Sequence, residues 1–297
     1  MAQPWALMQE RMGPYAAVLA RWARGETASD AVLESVRADA AARDARRAQN
    51  SARAGGRIQV LNLFGVITQR GNMADDLSGP GSTSAQAFAA ALRAALADDW
   101  IDGVLIDIDS PGGSVYGCPE LAAEIAASRG GKPIVAFADS LAASAAYWIG
   151  SQADEFYMTP SGEVGSIGVY LMHQDISEAM KADGIATTLV SAGKFKTEGS
   201  PYAPLDAAAL AHLQSRVDDY YSAFTKAVAS GRGVTQKAVR EGMGQGRVLG
   251  ADDALAEKMV DGVMTFDGVV SRMGTLMKRS RGPSALASAQ RTLQILG

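Results

Sequence analysis

Short apolar runs alternate with amphipathic segments of helical period from Arg57 onward. The apolar runs predict strands at Ile58–Phe64, Gly103–Ile108, Pro133–Ala138, Glu155–Met158 and Ala186–Val190. Helices are predicted between them, at Ser84–Ala97, Pro119–Ala127, from near Leu141, and at Ser177–Ala182. Strands that alternate with helices at this spacing are typical of an α/β domain with parallel strand pairing.

A long amphipathic helix follows at about Asp206–Ser230. Its large apolar residues recur near helical period: Leu210, Leu213, Val217, Tyr220, Tyr221 and Phe224. Such a face packs on a domain core or on another subunit. Two shorter helices are predicted to begin near Thr235 and Ala251, and the domain is predicted to close at residue 268.

The two ends of the chain differ in texture from residues 57–268. Residues 1–56 contain two helical stretches and an Ala/Arg-rich segment that ends in Gly55-Gly56, with almost nothing large to bury in its second half. We expect a helical N-terminal arm and linker there. Residues 269–297, with Lys278, Arg279 and Arg281, are expected to form a basic, flexible tail.

Composition narrows the class of protein. The chain has 297 residues, of which 47% are hydrophobic and 20% charged, as in a soluble globular protein. One cysteine excludes an internal disulfide, and two histidines are too few for a His/Cys zinc site, so no metal and no cofactor is expected. The formal charge of −4 gives no reason to expect nucleic-acid binding. Because no apolar run approaches the roughly 18 residues of a membrane span and no leader pattern is present, we expect no membrane anchor and a cytoplasmic location.

Candidate chemistry begins at Ser144, which is predicted to lie where a strand passes into a helix. Asp139 and Ser140 can cap a helix that begins near Leu141, so Ser144 falls in its first turn. Unpaired backbone N–H groups lie there, and small neighbours allow a substrate to approach. Ser144 is therefore a candidate nucleophile, although a serine among alanines also serves in helix packing.

A second strand-to-helix junction carries the sequence Asp109-Ser110-Pro111-Gly112-Gly113. Such a turn can expose consecutive backbone N–H groups, so Gly112 and Gly113 are candidates for an oxyanion hole. The carboxyl ends of neighbouring parallel strands line one crevice, which would let this turn face Ser144. A simple tight turn is the alternative.

A serine nucleophile requires a base. His212 lies on the long amphipathic helix and His173 has no evident partner, so both are poor candidates. Lys194 and Lys196 remain, in a polar loop after a predicted strand. A lysine acts as a base only when neutral, which burial among apolar groups favours. Residues two apart in an extended segment share a face, so spacing does not separate the two lysines.

Four segments together resemble the signal peptide peptidase A family of serine proteases. They are Asp-Ser-Pro-Gly-Gly at 109–113, Ala-Ala-Ser-Ala-Ala-Tyr-Trp at 142–148, Val-Gly-Ser-Ile-Gly-Val at 164–169 and Lys-Thr-Glu-Gly-Ser-Pro at 196–201. Their order and spacing also fit, over about residues 57–268. The chain looks most like the branch that includes bacteriophage and prophage head-maturation proteases.

The resemblance implies a ClpP/crotonase-like fold and a Ser–Lys dyad. It assigns the nucleophile to Ser144 and the base to Lys196, with Ser166 hydrogen-bonded to that lysine and Gly113, with Gly112, in the oxyanion loop. It also implies a homo-oligomer, with protein or peptide substrates that include capsid, portal or scaffold proteins. The chain departs from the membrane-associated members in carrying Ala145 and Ala146, not glycines, after the nucleophile.

Three other functions stay open. The first is a general cytoplasmic protease of the signal peptide peptidase type. The second is an inactive assembly or scaffold protein with the same fold. The third is an acyl-CoA hydratase or isomerase, for which Glu120 and Glu163 are the nearest carboxylates in the motif-bearing loops.

Overall fold

The computed structural model describes residues 4–10, 57–70 and 82–280, together with five single helical positions between 34 and 49. The strands are β1 (Trp5–Leu7), β2 (Ile58–Phe64), β3 (Ile67–Thr68), β4 (Thr83–Ser84), β5 (Gly103–Ser110), β6 (Gly112–Ser114), β7 (Ile134–Ala143), β8 (Glu155–Met158), β9 (Glu163–Gly165), β10 (Val248–Gly250) and β11 (Gly262–Val263). The helices are α1 (Ala85–Ala97), α2 (Cys118–Ala127), α3 (Ala145–Gly150), α4 (Ser177–Ala182), α5 (Ala207–Arg232), α6 (Gln236–Glu241), α7 (Ala251–Ala256) and α8 (Phe266–Ser280).

The larger sheet runs in the order β10-β9-β7-β5-β2. Its long strand β7 pairs with β8 through its first half and with β9 through its second half. Strands β2, β5, β7, β8 and β9 pair in parallel, and β10 is antiparallel to β9. This arrangement confirms the predicted α/β fold class with a parallel sheet.

Strand β5 is buried on both faces, which explains the consecutive apolar residues Val104–Ile106. Val104, Ile106 and Ile108 join the core beneath helices α1 to α3, whereas Leu105 packs on the opposite face against residues of α8. Successive side chains of a strand point to opposite faces, so a strand covered on both sides needs apolar residues at nearly every position.

A smaller sheet, in the order β1-β6-β3-β4, stands at the carboxyl end of β5. Strand β6 begins two residues after β5 ends, so the Pro-Gly-Gly turn itself joins the two sheets. The glycines of the turn are therefore held within a paired strand and not in a free loop.

Most helices match their predictions, and capping explains where they begin. Ser84 accepts a hydrogen bond from Ala87 N–H (3.2 Å) at the start of α1, and Asp206 accepts one from Ala209 N–H (2.7 Å) at the start of α5. The helix predicted from Leu141 is wrong at its beginning. Strand β7 continues through Ala143, because Leu141–Ala143 pair with Glu163–Gly165.

The strand predicted at Ala186–Val190 is also wrong. These residues have no regular structure and are exposed, with Val190 at 94%. Their β-branched composition favours a strand, but a strand forms only where a sheet edge accepts its hydrogen bonds.

Helix α8 crosses the predicted boundary between domain and tail at residue 268. Phe266, Val269 and Met273 lie at helical spacing and pack on the sheet beside Leu105 and Phe137. Residues 269–280 therefore pack as part of the domain. The rest of the predicted tail, and nearly all of the predicted arm at 1–56, lie outside the described residues.

One ion pair, between the buried side chain of Arg232 and the partly exposed Asp261, connects the end of α5 to the loop before β11. Arg232 donates to both carboxylate oxygens of Asp261 (2.8 and 2.9 Å), and Asp261 also accepts from Phe156 N–H (2.7 Å). Burial alone would raise the pKa of Asp261, but these hydrogen bonds hold it below its ordinary value. The carboxylate form is thus favoured in the folded state.

We expect Asp261→Asn to lower the free energy of unfolding at pH 7 by about 1–3 kcal/mol, the range for a hydrogen bond to a charged group. The side chain is 38% exposed, so the lower half of that range is expected. A carboxyl with a depressed folded pKa contributes stability above its unfolded pKa, about 3.9, and loses it as pH falls. Urea unfolding should therefore show the difference from the native chain shrinking below about pH 4. Asp219→Asn, at an exposed position in α5, is the control, and an equal loss there would contradict the assignment.

Candidate active site

Ser144 occupies the sharp junction between β7 and α3. Its backbone has φ 56° and ψ −118°, a conformation that residues other than glycine rarely adopt. Its N–H donates to Gly165 O (2.6 Å), and its carbonyl accepts from Trp148 N–H (2.9 Å). The side chain is fully buried, and Oγ has no hydrogen-bond partner among the described residues. A buried hydroxyl without a partner is costly, so Ser144 is not explained by hydrogen bonding within the fold.

The Pro-Gly-Gly turn lies directly against this serine. A Cβ atom built on Gly112 would stand 2.8 Å from Ser144 Cβ and 3.0 Å from Ala143 O, and φ at Gly112 is +97°. A Cβ atom on Gly113 would stand 1.9 Å from Ile67 O. A side chain at either position would collide with these atoms, so both positions need glycine. The turn faces Ser144, as its position after the neighbouring parallel strand predicts.

The two glycines differ in the use of their N–H groups. Gly112 N–H donates to Ser110 Oγ (3.1 Å), and Ser110 Oγ in turn donates to Gly65 O (2.6 Å). Gly112 N–H is thus engaged in holding the turn. Gly113 lies in β6, which is flanked by β1 and β3. Its N–H faces the side of β6 on which β1 pairs, so it is the N–H offered to a strand that binds on that side.

Ser166 lies close to Ser144, because the preceding residue, Gly165, is hydrogen-bonded to Ser144. Gly165 O receives the Ser144 N–H, and Ser166, with φ 53°, donates its N–H to Arg247 O (2.8 Å). Ser166 is half-buried. Its side chain therefore lies on the same short segment that sets the Ser144 backbone.

Lys196 is not brought to Ser144 in the described chain. It lies in a turn at 193–199, where its N–H donates to Gly193 O (3.1 Å), and its side chain is exposed. Lys194 is exposed too, and its Nζ stands 4.8 Å from the centre of the Phe195 ring. The four sequence-predicted residues Ser144, Ser166, Gly112 and Gly113 thus come together, whereas Lys196 stays on the exposed segment that follows Tyr170.

The other titratable candidates do not approach Ser144. His173 bonds through Nε2 to Ser200 O (3.0 Å), and it lines a surface groove with His212. Glu120 and Glu163, the carboxylates of the hydratase alternative, are exposed. Within the described ranges, no group of three or more His, Cys, Asp or Glu side chains is placed to hold a metal ion.

Helix α3 follows Ser144 directly and is packed in the core, which fixes the position of the Ser144 backbone. All six of its residues are buried. Trp148 stacks on Phe224 of α5, with ring centres 4.5 Å apart and planes within 7°. The Tyr147 hydroxyl donates to Met259 O (3.0 Å), and burial raises the pKa of that hydroxyl.

Sequence reasoning missed strand β1 and Tyr170, which both border the site. Trp5 N–H donates to Tyr170 O (2.9 Å), and Tyr170 N–H donates to Trp5 O (3.0 Å). The only signal for β1 is the apolar run Trp5-Ala6-Leu7 after Pro4, which is too short to predict a strand.

Comparison with known proteins assigns the family. The sequence profile of Peptidase family S49 matches residues 126–280. The chain belongs to peptidase family S49. The matched range includes Ser144, Ser166 and Lys196. The family match confirms the resemblance that was drawn from the four motifs.

Among curated relatives, capsid assembly protease C of Escherichia phage lambda is 33% identical over 61% of this chain and 41% of its own length. The head-tail preconnector protein of Enterobacteria phage P21 is 28% identical over 80% of this chain and 50% of its own. A putative signal peptide peptidase SppA of Enterococcus faecium is 29% identical over 69% of this chain and 59% of its own. The chain thus spans about half the length of the curated relatives it matches.

A solved structure of a mutant of a membrane-bound stomatin-specific protease covers 70% of this chain and 79% of its own, at 15% identity and a TM-score of 0.43. In the part of the chain that the structure describes, no helix has the length and apolar character needed to cross a bilayer.

The crowding at Gly112 yields a matched pair of substitutions. Gly130 also has a positive φ (+81°), but a Cβ atom there would meet nothing within 4 Å. We expect Gly130→Ala to cost about 1–2 kcal/mol of stability from backbone strain alone. Gly112→Ala should cost more, because its methyl group also meets backbone and the Ser144 side chain. An equal loss of stability in the two variants, measured by urea unfolding, would contradict the crowding at Gly112.

Proposed function

We propose that the chain is a serine endopeptidase with Ser144 as nucleophile and Lys196 as general base. The observation that carries the proposal is the buried, unpartnered hydroxyl of Ser144, held in a left-handed backbone conformation against Gly112. A strained turn that aims a serine at a glycine-rich N–H edge is the arrangement that acyl transfer requires.

In the proposed reaction, neutral Lys196 takes the proton from Ser144 Oγ, which attacks the carbonyl carbon of a peptide bond. The Gly113 N–H then stabilises the oxyanion, and the N–H of Ala145, unpaired as the first of helix α3, is the second donor. Lys196 passes its proton to the leaving amine, and water then hydrolyses the acyl-enzyme. Ser166 positions the lysine, and Gly112 keeps the approach to Ser144 open.

The proposed substrates are capsid, portal or scaffold proteins of an assembling phage head. Two relatives named above support this, since one is a capsid assembly protease and the other a head-tail preconnector protein. The protein would then act in the host cytoplasm or inside the procapsid. A general protease of the signal peptide peptidase type is the second candidate, favoured by the SppA relative.

Substitution of the dyad tests the mechanism. Ser144→Ala should lower kcat/KM on casein, and on a phage capsid protein offered as substrate, by at least about 10³-fold. Lys196→Ala should lower it by about 10²–10⁴-fold, the usual contribution of a general base, whereas Lys194→Ala should retain it. Unchanged cleavage in Ser144→Ala would end the proposal, and loss in Lys194→Ala alone would move the base to that residue.

We also propose that the protein works as a homo-oligomer. The segment 171–205 is largely exposed and carries large apolar residues, among them Ile185, Leu189, Val190 and Phe195. An apolar surface of this kind marks a protein interface. Burial of this segment against a neighbouring copy would remove Lys196 from water, which favours its neutral form.

Val190→Asp should therefore reduce both the molar mass measured by light scattering and the rate of peptide cleavage. Trp100→Asp is the matched control, because Trp100 is 78% exposed and lies outside the segment. An aspartate there should change neither quantity. A monomeric native chain with full activity would contradict the proposed assembly.

A further inference from the structure

Strand β1 lies in the cleft as an added strand, bonded on both of its edges. On one side it pairs antiparallel with β6, with Trp5 opposite Ser114, Ala6 opposite Gly113 and Leu7 opposite Gly112. On the other side Trp5 exchanges two hydrogen bonds with Tyr170. An extended peptide that binds by strand addition is held in the same way, through its main chain.

The hydrogen-bond register places the Ala6 carbonyl at the oxyanion position. Met8 N–H donates to Pro111 O (3.0 Å), and Val115 N–H donates to Pro4 O (3.4 Å). Because bonded pairs alternate along an antiparallel ladder, Ala6 and Gly113 form the bonded pair between them. Gly113 N–H, the proposed oxyanion donor, therefore donates to Ala6 O.

The same carbonyl lies beside the nucleophile. The position of a Cβ atom built on Gly112 is 2.3 Å from Ala6 O and 2.8 Å from Ser144 Cβ. Ala6 and Ser144 are both fully buried. The Ala6–Leu7 peptide bond is thus the one presented to Ser144, and the strand closes the cleft to water.

The side chains of β1 fill the cleft on either side of this bond. Trp5 and Leu7 are almost fully buried and pack with Val66, Tyr170 and Met172. Ala6, between them, has no exposed surface. The cleft therefore accepts a large apolar residue, then a small residue at the carbonyl that is attacked, then a second large apolar residue.

We propose that residues 4–8 are an intramolecular pseudosubstrate that occupies the peptide cleft and excludes other peptides until it is displaced. This inference rests on the proposed function of Ser144. It also names the substrate class, which is an extended segment with a small residue at the cleaved position and large apolar residues on both sides. A substrate must displace a tethered competitor whose effective concentration is about millimolar.

Labelling of Ser144 by a fluorophosphonate measures access to the cleft. A chain that lacks residues 1–8 should label about 10-fold or more faster than the full chain, which corresponds to about 1.4 kcal/mol of occupancy. The peptide Gln-Pro-Trp-Ala-Leu-Met-Gln, residues 3–9, should slow the labelling again at about millimolar concentration. The same peptide with Ala6→Phe should not, because Ala6 has no free space around it. Where the peptide is cut, the cut should fall between Ala6 and Leu7.

A reversible lock guards against misfolding of the shortened chain. Trp5 and Ser114 form a non-bonded antiparallel pair, whose Cα atoms lie about 4.5 Å apart, within the range of a disulfide. In the double variant Trp5→Cys/Ser114→Cys, oxidation should block labelling of Ser144 and a reductant should restore it. Each single variant should be indifferent to the oxidant, since Cys118 is buried.

The outcomes separate this inference from the proposed function. If Ser144 labels equally fast in the full and shortened chains, or in the oxidised and reduced double variant, the pseudosubstrate is overturned and the nucleophile stands. Cleavage of the peptide at another bond overturns the register. If Ser144 labels in none of the chains, including the reduced double variant, the proposed function itself fails.

Discussion

The left-handed backbone of Ser144 is the constraint on which the site depends. A non-glycine residue in such a conformation costs about 1–3 kcal/mol, and it persists only where surrounding packing fixes it. Here the Ser144 N–H is held by Gly165 O, and the following helix α3 is buried along its whole length, with Trp148 stacked on Phe224. The core thus supplies the energy that keeps Ser144 in this conformation.

Elements whose hydrophobic period is set by burial were predictable from sequence. Strand β5 carries consecutive apolar residues at Val104–Ile106 because both of its faces are covered, and α5 has a helical apolar period because one of its faces packs on the core. The helix predicted at Leu141–Ala143 was wrong, since alanine and leucine favour helices and only the pairing with β9 makes these residues a strand. The strand predicted at Ala186–Val190 was wrong for the opposite reason. Its residues favour a strand, but no sheet edge is placed beside it in the described chain.

The site divides along the same line. Ser144 and Gly112 follow neighbouring parallel strands, β7 and β5, so sequence position and sheet order together bring them into contact. No motif reveals that the two glycine N–H groups differ. The Ser110 hydroxyl accepts a hydrogen bond from Gly112 N–H and not from Gly113 N–H, and only the folded geometry decides this. The lysine was identified by resemblance alone. Its place in an exposed turn shows that a sequence motif does not fix where a side chain lies in the folded chain.

Tyr170 connects the strand in the cleft with the exposed segment that carries Lys196. It bonds to Trp5 of the strand in the cleft, and it stands at the start of the exposed segment that carries Lys196. A peptide that replaces β1 in the same register would form the same two hydrogen bonds to Tyr170, and so would hold the start of that segment as β1 does. Coupling between two binding events is reciprocal. If ordering of the segment raises the affinity for a peptide, then binding of the peptide favours the ordered segment by the same free energy. Assembly with a neighbouring copy and occupancy of the cleft, by β1 or by a substrate in its register, are therefore expected to favour each other, while β1 competes with the substrate for the cleft.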